Sequence, residues 1–298
     1  MEFSSPMNNV KMQARAINGL SAIAPHFQGI LCDVWGVLHN GKQAIPNAAH
    51  ALCNYRKNFG NPVVLITNSP RSAQQIAHHL ASLGIPTEAY DAIITSGDTV
   101  RDLLSQKDVP NIFHIGPHRH QNFFEKIECN STDANQADLI VCTGLRDREN
   151  ENPEHYRQQF AEYISLGLTM ICANPDIVSE HGDKLVWCAG SLARLYNEMG
   201  GQVLTTGKPN PPIYQSALRQ LENLSNTKLP TNRILAIGDG LFTDIKGANA
   251  KGLGTLFLSG GIHASEWQVE EKDFMPSLHI RLEQEGLEVQ SVMRRLHW

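Results

Sequence analysis

Short apolar runs, each closed by a polar side chain, alternate along this chain with longer stretches whose apolar positions recur at helical spacing. The run Ile30, Leu31, Cys32 is too short for a helix and has no polar face, so it predicts a buried parallel strand that ends at Asp33. Gly36 and Gly41 punctuate its exit. Before it, Ala14, Ile17, Leu20 and Ile23 predict a leading helix over residues 11–27. After it, Ile45, Pro46 and Asn47 open a helix with Ala48, Leu52 and Tyr55 on one face. Residues 62–67 predict a second strand, residues 71–83 a helix stopped by Gly84, and residues 91–97 a third strand. This β-α-β-α-β alternation with short links implies a parallel sheet with right-handed crossovers.

Between residues 100 and 202 the pattern restarts. Strand-like runs at 112–116, 138–143 and 169–173 are separated by helical stretches near 118–128, 153–167 and 190–199. The first pattern then resumes at 233–240 and 254–261. The expected architecture is therefore an α/β doubly wound parallel-sheet core, residues 1–99 and 203–298, with an inserted α/β cap domain, residues 100–202. The polar run 147–152 reads as a solvated loop. The tail 265–298, with Leu278, Leu282 and Leu287 among its charges, reads as a terminal helix or a dimer surface.

Composition narrows the function classes. A chain of 298 residues, 41% apolar and 18% charged, can bury a large core in one or two domains. Its net charge of -5 argues against a nucleic-acid partner, because neutralising phosphates needs a basic face. No run reaches the roughly 18 apolar residues of a membrane span, and the first residues lack a signal-peptide core. The expectation is a cytoplasmic protein whose six scattered cysteines are reduced thiols.

Four strand or loop exits carry reactive side chains: Asp33, Thr67, Lys208, and Asp239 with Asp244. Singly, Asp33 reads as a nucleophile, a metal ligand or only a helix cap; Thr67 fits a cap and Lys208 a surface lysine equally well. In a doubly wound sheet, however, these exits converge on one edge. Together they suit phosphoryl transfer, with a carboxylate to attack phosphorus, a hydroxyl and an ammonium to hold its oxygens, and carboxylates to hold Mg²⁺. A nicotinamide-cofactor oxidoreductase is disfavoured, since no GxGxxG follows any strand.

At this point the sequence resembles the haloacid dehalogenase-type phosphohydrolases, and more closely their subclass IIA, which carries a large C2-type α/β cap. Asp33 to Gly41 with Ile45 to Ala48 looks like the first motif, Leu65 to Ser69 like the second, Gly207-Lys208-Pro209 like the third, and Gly238 to Asp244 like the fourth. Ala173 to Asp176 and Ala189 to Leu192 match cap segments. The resemblance implies that Asp33 is the nucleophile and that Thr67 and Lys208 clamp the phosphoryl group. The Mg²⁺ ligands would be Asp33, Asp239 and the backbone carbonyl of Trp35, with Asp244 orienting Lys208 or contacting a metal-bound water. Asn68, Gly36 and Asn210, and Asn174 and Trp187 from the cap, are the expected substrate contacts.

One departure matters. The family usually places a second Asp two residues after the nucleophile, as general acid and base, and here that residue is Trp35. An indole N–H only donates, so turnover loses roughly 10²–10⁴-fold unless another group, such as His39 in the same loop, supplies the proton. The expected function is a Mg²⁺-dependent phosphohydrolase on a small phosphorylated metabolite, a sugar, nucleotide or cofactor monophosphate, working through an aspartyl-phosphate. The competing one is a weakened or inactive relative that binds a phosphorylated ligand as a sensor or scaffold. The expected partner is the small substrate, with a homodimer as an open alternative to a single chain, and with no nucleic acid and no membrane.

Overall fold

The computed structural model describes residues 14–106, 108–125, 127–181, 184–262 and 271–298. In chain order the first strands are β1 (Arg15–Ala16), β2 (Gly29–Asp33), β3 (Val63–Thr67) and β4 (Ala92–Thr95). Next come β5 (Asn111–Ile115), β6 (Asn130–Ser131), β7 (Leu139–Cys142), β8 (Thr169–Cys172), β9 (Val178–His181), β10 (Lys184–Trp187) and β11 (Val203–Thr205). The last are β12 (Ile234–Gly238), β13 (Gly254–Leu258) and β14 (Ser291–Met293).

A seven-stranded sheet in the order β1-β14-β13-β12-β2-β3-β4 forms the core, every pairing parallel. Strand alternation divides its apolar side chains between two layers. Ile30, Cys32 and Leu65 pack with the helix Ala48–Phe59 on one face, whereas Leu31, Val64 and Ile66 pack with the helix Pro211–Ser225 on the other. Covered on both faces, β2, β3, β12 and β13 are buried throughout, as their unbroken apolar runs require. β2 lies between β3 and β12, and the chain winds outward from it in both directions. Its carboxyl end, at Asp33, therefore sits where the order reverses and ligands find a crevice.

A second sheet, β11-β8-β7-β5-β6, is also all parallel, and β9 and β10 form an antiparallel hairpin beside it. β11 pairs with β8, so the inserted sheet runs to Thr205, past the expected boundary at 202. Thr99 donates its hydroxyl to Thr206 (2.8 Å), tying the outgoing connection to the returning one.

Two local expectations are corrected. Of the leading helix, residues 11–13 lie outside the described residues, and 14–27 form β1 and two tight turns. Gly19 (φ +154°) breaks the helical path, while Leu20 and Ala24 still fill the core through those turns. The stretch near 118 is a 3₁₀ turn, His118–Phe124. The tail holds the terminal helix that its sequence suggests, Glu271–Glu285, which turns Leu278 and Leu282 inward against Phe257 and Val292. No helix of the described residues is long and apolar enough to cross a membrane.

Candidate active site

The strand order brings the carboxyl ends of β2, β3 and β12 together, and with them Asp33, Thr67 and Asp239. After β12 the chain makes a wide helical turn, Leu241–Ile245, in which the Ile245 amide reaches back five residues to the Gly240 carbonyl (3.1 Å). That turn points Asp244 back under the sheet edge. Its Oδ2 accepts from the Gly240 amide (3.1 Å), and the Tyr214 hydroxyl donates to its carbonyl (3.0 Å). Lys208 arrives from the loop after β11 and is 2% exposed.

The Lys208 ammonium donates to Asp33 Oδ1 (2.6 Å) and to Asp244 Oδ1 (2.7 Å). Asp33 Oδ1 also accepts the Val34 amide (2.7 Å), so no N–H or ammonium of the described residues occupies its Oδ2. Asp239 Oδ2 accepts the Ile262 amide (2.7 Å). A β-carbon on Gly36 or on Gly261 would overlap an Asp239 oxygen, and Gly36 also has a left-handed φ of +81°. Both glycines are thus required by the close approach of two loops to one carboxylate.

Asp33, Asp239 and Asp244 offer oxygens that all lie within 4.8 Å of one another. Burial pushes the Asp33 carboxyl well up, the Asp244 charge adds to this, and Lys208 opposes it. Burial and then Asp244 push Asp239 up to about 7. For Lys208, burial works against the charge, but Asp244 and Asp33 outweigh it and hold the ammonium protonated. One lysine pairs with two of the three buried carboxylates, so with all three ionised about two negative charges would lack a counter-charge. A divalent, oxygen-loving cation such as Mg²⁺ fits that donor set.

Thr67 is buried, and its hydroxyl accepts the Ser69 amide (3.3 Å) at the wall of the same cavity. Asn68 is clamped on both sides. Its Oδ1 accepts the Lys208 amide (2.7 Å), while its Nδ2 donates to the Lys208 carbonyl (3.2 Å) and to Asp176 Oδ1 (2.7 Å). Gly36, Trp35, Asn174 and Trp187 also line the cavity, Trp187 at 40% exposure on the hairpin.

Two residues are placed otherwise than their expected roles need. Asn210 does not line the cavity; its Nδ2 donates to Thr205 Oγ1 (2.8 Å) and the Gly207 carbonyl (3.0 Å), so it folds the loop before a helix. His39 is 1% exposed, its Nδ1 accepts the Gly41 amide (2.9 Å), and its ring meets the edges of Trp35 and His79. Burial, His79 and Arg71 lower its pKa to about 3, so it stays neutral at physiological pH and has no imidazolium proton to give. It positions Trp35 and the turn.

Other participants gave little sign in the sequence. The Ile262 amide is invisible in residue types. Asp176 lay inside a recognised cap segment without an assigned partner. Arg148, within the run expected to be a solvated loop, faces the cavity, as do Arg71 and Arg119. His114 and His120 do not gather a metal-ligand set; both bond the Thr143 hydroxyl (2.8 and 3.1 Å).

Comparison with known proteins places the chain in a family. Residues 30–130 match the haloacid dehalogenase-like hydrolase model, and residues 205–279 match a second one described as HAD-hydrolase-like. The crystal structure of a haloacid dehalogenase-like hydrolase from Brucella suis 1330 is 38% identical, with a TM-score of 0.83 over 94% of this chain and 99% of that one. The ribonucleotide monophosphatase NagD of Escherichia coli K12 is 27% identical over 253 residues, 84% of this chain and 94% of its own. A possible sugar phosphatase from Cytophaga hutchinsonii shares the fold at 21% identity and a TM-score of 0.76.

Proposed function

We propose, from the premise that this chain belongs to the haloacid dehalogenase-like hydrolase family, subclass IIA, that it is a Mg²⁺-dependent phosphohydrolase acting on a small phosphorylated metabolite. The observation that carries this reading is the buried set of Asp33, Asp239 and Asp244 around Lys208, which unites a nucleophile, a cation site and a phosphate clamp.

Asp33 Oδ2, the oxygen left open by the backbone and Lys208, attacks phosphorus, and the P–O bond to the leaving group breaks in line. The aspartyl-phosphate on Asp33 is then cleaved by water, which releases inorganic phosphate and restores the carboxylate. Lys208, the Thr67 hydroxyl and donors at the Asn68 loop hold the equatorial oxygens. Asp33 and Asp239 would hold Mg²⁺, whose charge offsets the repulsion between carboxylate and phosphate and stabilises the charge that builds up on the oxygens. Asp244 keeps Lys208 aimed, since one of its oxygens takes the ammonium and the other the Gly240 amide.

Leaving-group protonation is the weak step. Trp35 cannot give and retrieve a proton, and neutral His39 does not replace it. Water must then protonate the leaving oxygen, which favours leaving groups that are already acidic. Trp35 also supports the second reading, a ligand-binding relative with little turnover. Release of p-nitrophenol from its phosphate separates the two. Mg²⁺-dependent hydrolysis that vanishes in Asp33→Asn supports the hydrolase, and binding of a phosphate mimic without hydrolysis supports the binding protein.

A further inference from the structure

The cavity that holds the carboxylates is also lined by three guanidinium groups. Arg71 comes from the loop after β3, Arg119 from the turn His118–Phe124, and Arg148 from the loop after β7. Among the described residues, neither Arg71 nor Arg119 has a carboxylate within ion-pairing distance. Arg148 has, among the described residues, its exposed neighbour Glu149, at 3.5 Å. Such a group of like charges around one cavity is costly without an anion among them.

The electrostatics agree with the geometry. Beyond partial burial, the charge that disfavours protonation of Arg71 is Arg148, and on Arg119 Arg148 and Arg71 act in the same sense, opposed more weakly by Glu149. Asp33, Asp239 and Asp244 are not among the charges that act most on them. His79 and His120, which border the same wall, are also pushed down, by burial first and by the arginines next. The transferred phosphoryl group already has Lys208, Thr67 and the cation site. A second negative group is what the arginines lack.

Resting on the hydrolase reading above, we propose that the substrate carries a second anionic group, a carboxylate or another phosphate, and that Arg71, Arg119 and Arg148 receive it while the phosphomonoester lies over Asp33. Arginine forks suit both groups, since each guanidinium presents paired donors to planar or tetrahedral oxyanions.

The test compares matched phosphate esters with Mg²⁺ present: glycerate 3-phosphate against glycerol 3-phosphate, and fructose 1,6-bisphosphate against fructose 6-phosphate. The member with the extra anion should show a kcat/KM about ten- to a hundredfold higher, the worth of one charge-assisted hydrogen bond. The pair that shows the preference tells carboxylate from phosphate. In Arg119→Ala and Arg148→Ala the ratio within that pair should collapse towards one, chiefly through KM, and Arg119→Lys should recover part of it. Equal kcat/KM within both pairs, or a preference untouched by both alanine variants, overturns the proposal while p-nitrophenyl phosphate hydrolysis leaves the hydrolase reading standing. If no ester is hydrolysed, the hydrolase reading fails, and thermal unfolding decides the arginine site separately. Glycerate 3-phosphate or fructose bisphosphate must then raise the native protein's midpoint more than its partner ester does, and lose that advantage in Arg119→Ala; no difference overturns it.

Discussion

The floor of the cavity and its wall both hold charged side chains, but they hold them differently. On the floor, Lys208 bridges two carboxylates at 2.6 and 2.7 Å, backbone amides fix Asp33, Asp239 and Asp244, and two glycines leave room for the arrangement. On the wall, Arg71 and Arg119 have no internal partner among the described residues, and Arg119 is exposed. A network fixed from within prepares one reaction whatever the substrate. A group of cations matched by a single exposed carboxylate would, on the proposal above, take a ligand and so select among substrates. Changes on the floor should therefore abolish chemistry, and changes on the wall should re-sort preferences.

The largest effect expected on the floor is that of Asp33→Asn, which keeps the shape and removes the attacking charge. Hydrolysis of p-nitrophenyl phosphate should fall at least about 10⁴-fold, and residual activity within tenfold of the native rate would remove Asp33 from its role. Lys208→Met should cost about 10²–10³-fold in kcat, as for loss of one preorganised donor. It should also destabilise the metal-free protein by about 3–5 kcal/mol by leaving the carboxylates unpaired. Chemical denaturation measures this, and added Mg²⁺ should return part of the loss. Trp35→Asp should raise turnover of alkyl phosphates by about 10²-fold, and that of p-nitrophenyl phosphate by less. An equal gain for both leaving groups would show that protonation is not the limiting step.

Removing divalent ions with a chelator should end hydrolysis and lower the unfolding midpoint. Restoring Mg²⁺ at a hundred times its Kd should contribute about 2.7 kcal/mol. A midpoint indifferent to Mg²⁺ would count against the cation site. The smallest effect concerns acid. His39 is held neutral in the fold, with a pKa near 3 against an ordinary 6.5, so the unfolded chain binds the extra proton. Stability is therefore fully present above about pH 6.5 and declines as the pH falls towards 3. His39→Asn, whose side-chain oxygen can still accept the Gly41 amide, should flatten that decline in a pH series of unfolding midpoints.

Much of the floor was legible because the fold fixes where strand ends go. Once Asp33, Thr67 and Asp239 were placed at the ends of parallel strands, their convergence followed from sheet topology. Where the reading failed, the deciding quantity was not in the residue types. Ala14, Ile17, Leu20 and Ile23 satisfy a helical period, yet the same spacing serves a short strand and two turns once Gly19 interrupts it. His39 looked like a spare acid because burial, which decides its protonation, is a property of the packed state. Asn210 sits two residues from Lys208 but faces its own loop. Arg148 was hidden among charges because a loop's sequence does not say which of its side chains turns inward.

Asn68 joins the two halves in a further way. One amide group grips the peptide of Lys208 on both its N–H and C=O sides and, with a remaining hydrogen, holds Asp176 of the inserted segment. Any outward swing of that segment strips a bond from the same side chain that seats the catalytic lysine. On the hydrolase reading proposed above, entry of substrate and readiness of the lysine would be mechanically geared to one another, through a residue that itself carries no charge.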